Sequence, residues 1–327
     1  MIKYGIIGAG WRSKFYLRIA ELLPEEFSVS GIYIRNPQKQ SEFSDKFSVK
    51  IVETLEELMK TDFDFIVSCV NKDSIWNTIT ELCRQRVPVL TETPIHLTKL
   101  QLSEIRDNWK VQVAEQFHFM PRNMAIKKII DSGILGEVNQ VQLSCCHDYH
   151  AASLIRYFLN TGNEIPEIKT FIISDKVTRY NTRQGFVKPI IIDAEQTIKI
   201  FSFKNKTAVY DFNSEQYFSD IRSSRIVIRG TLGEIVNSRC TYLNNNIPHT
   251  FDITRNSFGT NENLDGFSLL NLTGNGQILY DNPFKKARLS DEEIAIASCL
   301  VKMKNFLLTG NDFYSLNEAT LDYNFFL

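Results

Sequence analysis

Two glycines near the start of the chain have the spacing of a phosphate-binding turn. They stand in Gly8-Ala9-Gly10-Trp11-Arg12-Ser13, between an apolar run and an amphipathic segment. Gly8 allows a tight turn, and Gly10 has no side chain to hold the main chain away from a pyrophosphate. The helix that follows offers free N–H groups and the positive end of its dipole. We therefore expect this turn to bind a dinucleotide. Ser13 stands where such a turn usually has its third glycine, and its side chain is small. A structural turn without nucleotide is the alternative.

The tip of the second predicted strand distinguishes two nicotinamide cofactors. A carboxylate at this tip would bind the ribose hydroxyls of NAD, but the chain has Ile32-Tyr33-Ile34-Arg35-Asn36. Arg35 offers a guanidinium, whose geometry suits a 2′-phosphate. We expect NADP with Arg35 and Asn36 at the cofactor, and NAD as the alternative. An ordinary solvated role for Arg35 stays open.

A second concentration of reactive side chains is Cys145-Cys146-His147-Asp148-Tyr149-His150. A histidine with a pKa near ~6.5 can take and return a substrate proton at neutral pH. Zinc is disfavoured here, because adjacent cysteines point to opposite faces of a strand and no second ligand pair has a suitable spacing. We expect no metal. A histidine that caps a helix or lies in the core is the alternative to a catalytic one.

The elements that must position these residues differ between the two parts of the chain. The first 116 residues alternate short apolar runs with amphipathic segments, which is typical of a parallel sheet covered by helices. The predicted strands are 2–7, 27–34, 63–70, 87–92 and 111–116, and the predicted helices include 12–23, 73–86 and 98–109. Beyond Pro121, strands rich in β-branched and aromatic residues are predicted at 137–146, 168–177, 190–203, 207–212 and 225–229.

The resulting prediction is an α/β protein of two domains. Residues 1–118 form a doubly wound Rossmann domain, and residues 119–327 form an α+β domain with a large open, mainly antiparallel sheet. In the second domain, helices are predicted at 123–132 and 150–159 and between Ser290 and Gly310. Tyr210, Gln216 and Tyr217 are assigned to the core or an interface.

The composition of the chain limits the classes of partner that it can bind. The chain has 37 Lys and Arg against 38 Asp and Glu, which argues against binding nucleic acid or an anionic membrane by bulk charge. No apolar run approaches the ~18–20 residues that span a bilayer. Six cysteines without a paired spacing, and no signal peptide, lead us to expect a cytoplasmic protein. An open sheet with one apolar face should be covered by a second copy.

The order and spacing of several motifs resemble the Gfo/Idh/MocA family, the relatives of glucose–fructose oxidoreductase and inositol dehydrogenase. The motifs are the glycine turn, Thr91-Glu92-Thr93-Pro94 in place of the family's Glu-Lys-Pro, and the segments 113–121, 130–138 and 228–235. The resemblance implies an NAD(P)-dependent oxidoreductase acting on a sugar, polyol or related hydroxy compound. It also implies a homodimer or homotetramer joined through the sheet face.

The resemblance also assigns site residues, with two departures. The family's catalytic histidine begins a helix four residues after an aspartate; His150 matches it best, but Cys146 stands in the aspartate's place. Asp148, Tyr149 and His147 are lesser candidates. Thr93 replaces a lysine near the reacting oxygen, and loss of such an electrostatic donor can cost on the order of 10²–10³ in rate.

Three more residues are placed at the cofactor by position. Asn71 follows the predicted strand 63–70, Glu92 could bond a ribose hydroxyl, and Gln116 corresponds to the family's residue near the nicotinamide carboxamide or ribose. Two functions remain. One is a dehydrogenase or reductase in which His150 moves the proton. The other, suggested by Thr93 and the missing aspartate, is an NAD(P)-binding redox sensor or regulatory subunit without turnover.

Overall fold

The alternating apolar runs near the start of the chain form a parallel sheet in the computed structural model, which describes residues 1–259 and 268–327. The described strands are β1 (Ile2–Ile7), β2 (Phe27–Tyr33), β3 (Ile51–Val52), β4 (Phe65–Ser68), β5 (Val89–Thr91), β6 (Val111–Val113), β7 (Val138–Ser144), β8 (Glu167–Thr182), β9 (Gly185–Ser202), β10 (Thr207–Asn213), β11 (Arg225–Gly230), β12 (Gly233–Val236), β13 (Arg239–Asn244), β14 (Ile247–Asp252), β15 (Thr254–Phe258), β16 (Ser268–Gly274) and β17 (Gln277–Asp281). The described helices are α1 (Trp11–Leu22), α2 (Pro37–Ser44), α3 (Leu55–Met59), α4 (Ile75–Arg84), α5 (Lys99–Glu104), α6 (Pro121–Asp131), α7 (Asp148–Leu159), α8 (Asp291–Thr309) and α9 (Leu316–Asn324).

These residues cluster into two units. The first unit holds residues 1–121 and 282–324 with the described part of 257–270; the second holds 122–256, 271–281 and 325–327. This division differs from the boundary at 118/119 expected from the sequence, because α8 and α9 join the first unit. There α8 packs against α1, and Tyr314, Leu316 and Ala319 complete the core beside the parallel sheet. None of the helices in the described ranges is long and apolar enough to cross a membrane.

The sheet of the first unit has the strand order of a doubly wound fold. Its order is β3-β2-β1-β4-β5-β6, and every pair is parallel. All residues of β4 are buried, as expected for a central strand covered on both faces. The order reverses between β1 and β4, so a crevice forms at the carboxyl ends of these strands, where such sheets bind ligands. The predicted Rossmann domain is confirmed.

Some predicted boundaries of the first unit are wrong. The helix predicted over 98–109 is shorter, because Ile105 is extended and ends α5. The strand predicted over 111–116 stops at Val113, and Gln116 begins a 3₁₀ turn that runs to Phe119. At α8 the predicted caps are confirmed. Ser290 and Glu293 form both bonds of a capping box, and Gly310 closes the helix with φ +76°.

The sheet of the second unit is mainly antiparallel, as predicted. Its order is β14-β13-β12-β11-β7-β10-β9-β8, in which only β10 and β7 pair in parallel among the described pairs. The helix α7 packs against β7 and brings buried Leu154, Ile155 and Phe158 to that strand. A smaller sheet has the order β15-β16-β17. The α+β class predicted for this part of the chain is confirmed.

Candidate functional site

The turn after β1 is built around glycine, as the sequence predicts. Gly8 has φ +107°, and a Cβ there would lie 2.5 Å from the carbonyl oxygen of Cys69, so only glycine fits. Gly10 precedes α1, and no side chain caps this helix end. The buried Ser13 hydroxyl donates to the Gly10 carbonyl at 2.9 Å and ties α1 to the turn. The N–H groups at the start of α1 can therefore receive a phosphate.

Two cationic side chains lie close after β2 in the chain, one just behind the strand and one on α2. Arg35 is exposed and has no hydrogen bond or ion pair with any described residue. The Asn36 side chain caps α2, accepting the backbone N–H of Gln38 at 2.9 Å. Lys39, in the first turn of α2, donates from Nζ to the carbonyl oxygen of Ala9 at 3.2 Å and so lies over the glycine turn. Sequence reasoning missed Lys39; its place three residues after the cap of the second helix was the available signal.

Arg12 is held by acidic groups of the first unit. Its Nε lies 3.3 Å from Oε2 of Glu92, and its Nη1 lies 2.8 Å from Oε1 of Glu292. Its guanidinium is 4.8 Å from the centre of the Trp11 ring. Burial opposes the charge of Arg12, but Glu92 and Glu292 outweigh it and raise its pKa above the usual value. Arg12 therefore links α1 to the end of β5 and to α8.

Glu92 has partners inside the first unit. It is 5% exposed and accepts a hydrogen bond from the Tyr16 hydroxyl as well as pairing with Arg12. Burial raises the pKa of Glu92, although Arg12 and Tyr16 act in the opposite direction. The glutamate of the Thr-Glu-Thr-Pro motif thus holds α1 to the sheet edge. Its contact with a ribose hydroxyl stays a prediction.

Two buried residues follow β6. Gln116 is 2% exposed. Its side-chain amide nitrogen donates to the Ala114 carbonyl oxygen at 3.0 Å, and its amide oxygen accepts a hydrogen bond from Nη2 of Arg12 at 3.1 Å. Glu115 is fully buried and accepts the N–H of Phe117 at 3.0 Å. Burial raises the pKa of Glu115 to about 7, against the opposing effects of neighbouring positive groups and of that N–H. The sequence analysis overlooked Glu115, although an acid directly after an apolar strand was a visible signal.

Asn71 and Thr93 stand at neighbouring strand ends. Asn71 follows β4 and accepts the N–H of Ser74 at 3.1 Å. Thr93 follows β5 and is half-buried. A cleft of about 260 Å³ borders both segments and is lined in part by Lys72, Trp76 and His96. The carboxyl edge of the first sheet therefore offers room beside the predicted cofactor residues.

A cluster of rings marks the start of α7 in the second unit. His150 is 3% exposed, and its ring centre lies 5.2 Å from that of His147 and 4.3 Å from that of Tyr149. His147 donates its backbone N–H to the Tyr217 hydroxyl at 2.8 Å, and its Nδ1 is hydrogen-bonded to the same oxygen. Burial, reinforced by His150, lowers the pKa of His147 to about 4. The cluster holds a neutral His147 against a buried His150.

Other groups of the second unit adjoin this cluster. The backbone N–H of Asp148 donates to the Tyr210 hydroxyl at 3.2 Å. Lys199 on β9 is buried, donates from Nζ to the Phe325 carbonyl at 3.1 Å, and lies 4.5 Å from the centre of the Phe326 ring. Burial lowers the pKa of Lys199, while Asp148 acts in the opposite direction. Sequence reasoning gave no role to Lys199, since nothing in a strand pattern marks a buried lysine.

The assignment of Tyr210 and Tyr217 to the core or an interface is incomplete. Both hydroxyls bond to the segment that begins α7. Cys146 is buried four residues before His150, and its Sγ lies 3.8 Å from that of Cys145. Within residues 1–259 and 268–327, no three His, Cys, Asp or Glu side chains are grouped so as to hold a metal ion.

The predicted residues thus form two groups, each within one unit. The first unit brings the glycine turn, Arg12, Glu92 and Gln116 together and carries the remaining cofactor candidates and Thr93 on nearby strand ends. The second unit brings His147, Tyr149 and His150 into ring contact. A doubly wound sheet with a glycine turn, joined to an open antiparallel sheet, defines the class of two-domain nucleotide-binding proteins.

Comparison with known proteins relates the first part of the chain to a known family. Residues 2–116 match the model described as the oxidoreductase family with an NAD-binding Rossmann fold, Gfo/Idh/MocA. The resemblance to this family that the sequence predicts is therefore confirmed over these residues. Among curated proteins no relative matches the chain.

Solved structures extend the likeness in fold to the whole chain. An oxidoreductase from Agrobacterium radiobacter, in complex with NAD+, L-tartaric acid and magnesium, is 14% identical, with 99% of this chain and 94% of that chain covered and a TM-score of 0.69. An oxidoreductase from Thermotoga maritima is 17% identical, with coverages of 99% and 94% and a TM-score of 0.63. A myo-inositol dehydrogenase from Corynebacterium glutamicum is 13% identical, with coverages of 99% and 94% and a TM-score of 0.63.

Proposed function

We propose that this protein is an NAD(P)-dependent oxidoreductase that transfers a hydride between a nicotinamide cofactor and a sugar, polyol or related hydroxy or carbonyl compound. The observation that carries the proposal is the glycine turn at the carboxyl end of β1, where a Cβ on Gly8 would strike the Cys69 carbonyl. This turn lies in a domain that matches an NAD-binding oxidoreductase family. Its shape fits a pyrophosphate.

NADP is the proposed cofactor. Residues 33–36 at the tip of β2 contain no carboxylate, and the cations of Arg35 and Lys39 lie at this tip and over the glycine turn. Two cations favour a 2′-phosphate, whereas a ribose with free hydroxyls would gain more from an acid. The Agrobacterium protein is bound to NAD+, which supports a nicotinamide cofactor in general.

Fluorescence titration with NADPH and NADH tests this choice. Trp11, Trp76 and Trp109 all lie in the first unit, so tryptophan emission reports on binding there. NADPH should bind more tightly, and Arg35→Ala or Lys39→Ala should each weaken it roughly tenfold without affecting NADH. The exposed Lys46→Ala serves as the matched control. A preference for NADH would overturn the phosphate assignment, and failure of both cofactors to bind would overturn the proposed function.

In the proposed reaction His150 is the general acid/base. The bound nicotinamide would give or receive the hydride at C4. His150 would take the proton of the substrate hydroxyl during oxidation and return it during reduction. Its buried place in the ring cluster excludes water from that proton transfer. Asp148 and Tyr149, which lie beside His150 in the chain, are proposed to assist at the substrate oxygen, and Thr93 is a separate catalytic candidate in the first unit.

Replacement of His150 tests this role. With a polyol and NADP+, His150→Ala should lose turnover while cofactor binding, which depends on the first unit, is retained. Unchanged turnover would exclude His150 as the acid/base. The exposed His249→Ala on β14 is a control histidine in the same unit.

A second candidate function is NAD(P) binding without turnover, as in a redox sensor or regulatory subunit. The observations that favour it are the uncharged Thr93 and the buried Cys146 in the place of the family's aspartate. Thr93→Lys separates the two. Activity on polyols that appears only in the variant supports the binding protein, whereas activity already present in the natural chain supports the enzyme.

Self-association is proposed through the hairpin of β8 and β9. These two strands expose large apolar side chains, among them Ile172 at 62%, Phe186 at 79% and Ile191 at 72%. Covering them would gain about 25 cal/mol for each Å² removed from water, which favours a homodimer or homotetramer. Light scattering should give a particle mass that is a multiple of the chain mass, and Ile191→Lys should lower that particle mass.

The proposed location is the cytoplasm, since all six cysteines are free thiols.

A further inference from the structure

Tyr217 makes two contacts with one histidine. Its hydroxyl oxygen accepts the backbone N–H of His147 at 2.8 Å and is also hydrogen-bonded to Nδ1 of the His147 ring. The two rings meet edge to face, with centres 5.4 Å apart and planes at 74°. Tyr217 lies in a 3₁₀ turn (Ser214–Phe218) that follows β10, so the contact joins two segments 70 residues apart in the chain.

The direction of these bonds follows from counting protons. A phenol has one O–H, and its oxygen accepts the backbone N–H of His147; among the described hydrogen bonds, Nδ1 of His147 is the partner left for its proton. Desolvation of the hydroxyl by its neighbours raises the pKa of Tyr217 above the usual value and keeps that proton on the phenol, although the residue is 39% exposed. Burial also lowers the pKa of His147 to about 4, so at neutral pH the imidazole is neutral and carries a single N–H. If Nδ1 accepts, the N–H must be on Nε2.

We propose that Tyr217 is a positioning residue that holds His147 in the Nε2–H tautomer, which makes His147 a neutral hydrogen-bond donor to the oxygen of a hydroxy or carbonyl substrate. This inference rests on the proposed function. It gives the two histidines different roles, since His147 would stabilise charge on the oxygen while His150 moves the proton.

The groups around His147 agree with a neutral ring. Burial, His150 and Arg183 disfavour its charged form, and only Asp148 favours it. A neutral imidazole polarises an oxygen through its N–H without bringing a second positive charge beside His150. Such a donor acts most strongly on the charge that develops in the transition state, where loss of one donor costs on the order of 10²–10³ in rate.

The tautomer can be measured directly. Nitrogen-15 NMR of the full chain labelled at histidine distinguishes a protonated Nε2 from a protonated Nδ1, and His147→Gln identifies the His147 signals. We expect the Nε2–H tautomer at pH 7 in the natural chain and a mixture of tautomers in Tyr217→Phe. The Nδ1–H tautomer in the natural chain, or an unchanged tautomer in Tyr217→Phe, would overturn the proposal. If Tyr217→Phe does not fold, the measurement on the natural chain decides.

Kinetics provide the second readout. Tyr217→Phe should lower kcat/KM at least about tenfold, mainly through kcat, with cofactor affinity unchanged. Tyr242→Phe is the matched control, because its hydroxyl bonds only Asn275 among the described hydrogen bonds. An equal loss in both variants would overturn the proposal. The NMR result needs no turnover, so an Nε2–H tautomer in a chain inactive on every hydroxy compound would contradict the proposed function and leave the tautomer assignment standing.

Discussion

Replacing Glu115 with glutamine removes an ionisable group that the first unit buries completely. The side chain follows β6, has no exposed surface, and accepts a hydrogen bond from the N–H of Phe117. Glutamine has the same shape and can retain that bond through its amide oxygen. The substitution therefore removes the titration of this side chain while it keeps the size of the side chain and this hydrogen bond.

The magnitude follows from the pKa. Burial raises the pKa of Glu115 from 4.5 to about 7, so the folded chain holds a proton that the unfolded chain has already released between these values. Stability from this group is complete below pH 4.5 and is lost as the pH rises to 7. Between pH 5 and pH 8 the loss is about 2–3 kcal/mol. Glutamine does not titrate and escapes this loss.

Urea unfolding at several pH values checks the prediction. Tryptophan emission follows the first unit, because all three tryptophans lie there. The stability of Glu115→Gln relative to the natural chain should rise by about 2–3 kcal/mol between pH 5 and pH 8. The exposed Glu81→Gln on α4 should show no such rise. A difference for Glu115→Gln that stays constant within about 0.5 kcal/mol would refute the reasoning.

Three more substitutions test the packing around the sites. Gly8→Ala should abolish NADPH binding and lower the free energy of unfolding by about 3 kcal/mol or more. Gly133 also has a positive φ but has open space around it, so Gly133→Ala should lower the free energy of unfolding by about 1 kcal/mol. Thermal unfolding measures the stability of both variants, and titration measures their NADPH binding. Arg12→Met should cost about 3–5 kcal/mol by leaving Glu92 buried without its cation, and adding Glu92→Gln should recover part of the loss in urea unfolding. Lys199→Met should change stability by less than about 1.5 kcal/mol but speed hydrogen exchange at residues 325–327.

Local signals in the sequence were sufficient for the fold of the first unit. Alternating apolar runs, a glycine turn and the cap at Ser290 each act within a few residues, and each appears in the structure. Where a prediction was wrong, as for the ends of α5 and β6, one residue such as Ile105 leaves the regular backbone without a glycine or proline to announce it.

The contacts of the site lie beyond local signals. Arg12 and Glu292 are 280 residues apart in the chain, and His147 and Tyr217 are 70 apart. A sequence shows that an arginine follows a glycine turn, but only the fold shows that carboxylates already hold it. In the same way, the aromatic composition of the second sheet gave no reason to separate Tyr217 from core tyrosines.

Burial is the reason why Glu115 should hold a proton, and the positive charge of Arg12 acts against it. One guanidinium faces Glu92 and Glu292 directly, and Glu115 adds a third carboxyl whose charge acts on Glu92. Arg12 has direct ion pairs with the first two, and its charge also acts on Glu115, where it favours the ionised form. Holding a proton removes that excess negative charge. Because Arg12 lies two residues after Gly10, the protonation of Glu115 also sets the charge balance at the start of α1, where a phosphate would bind.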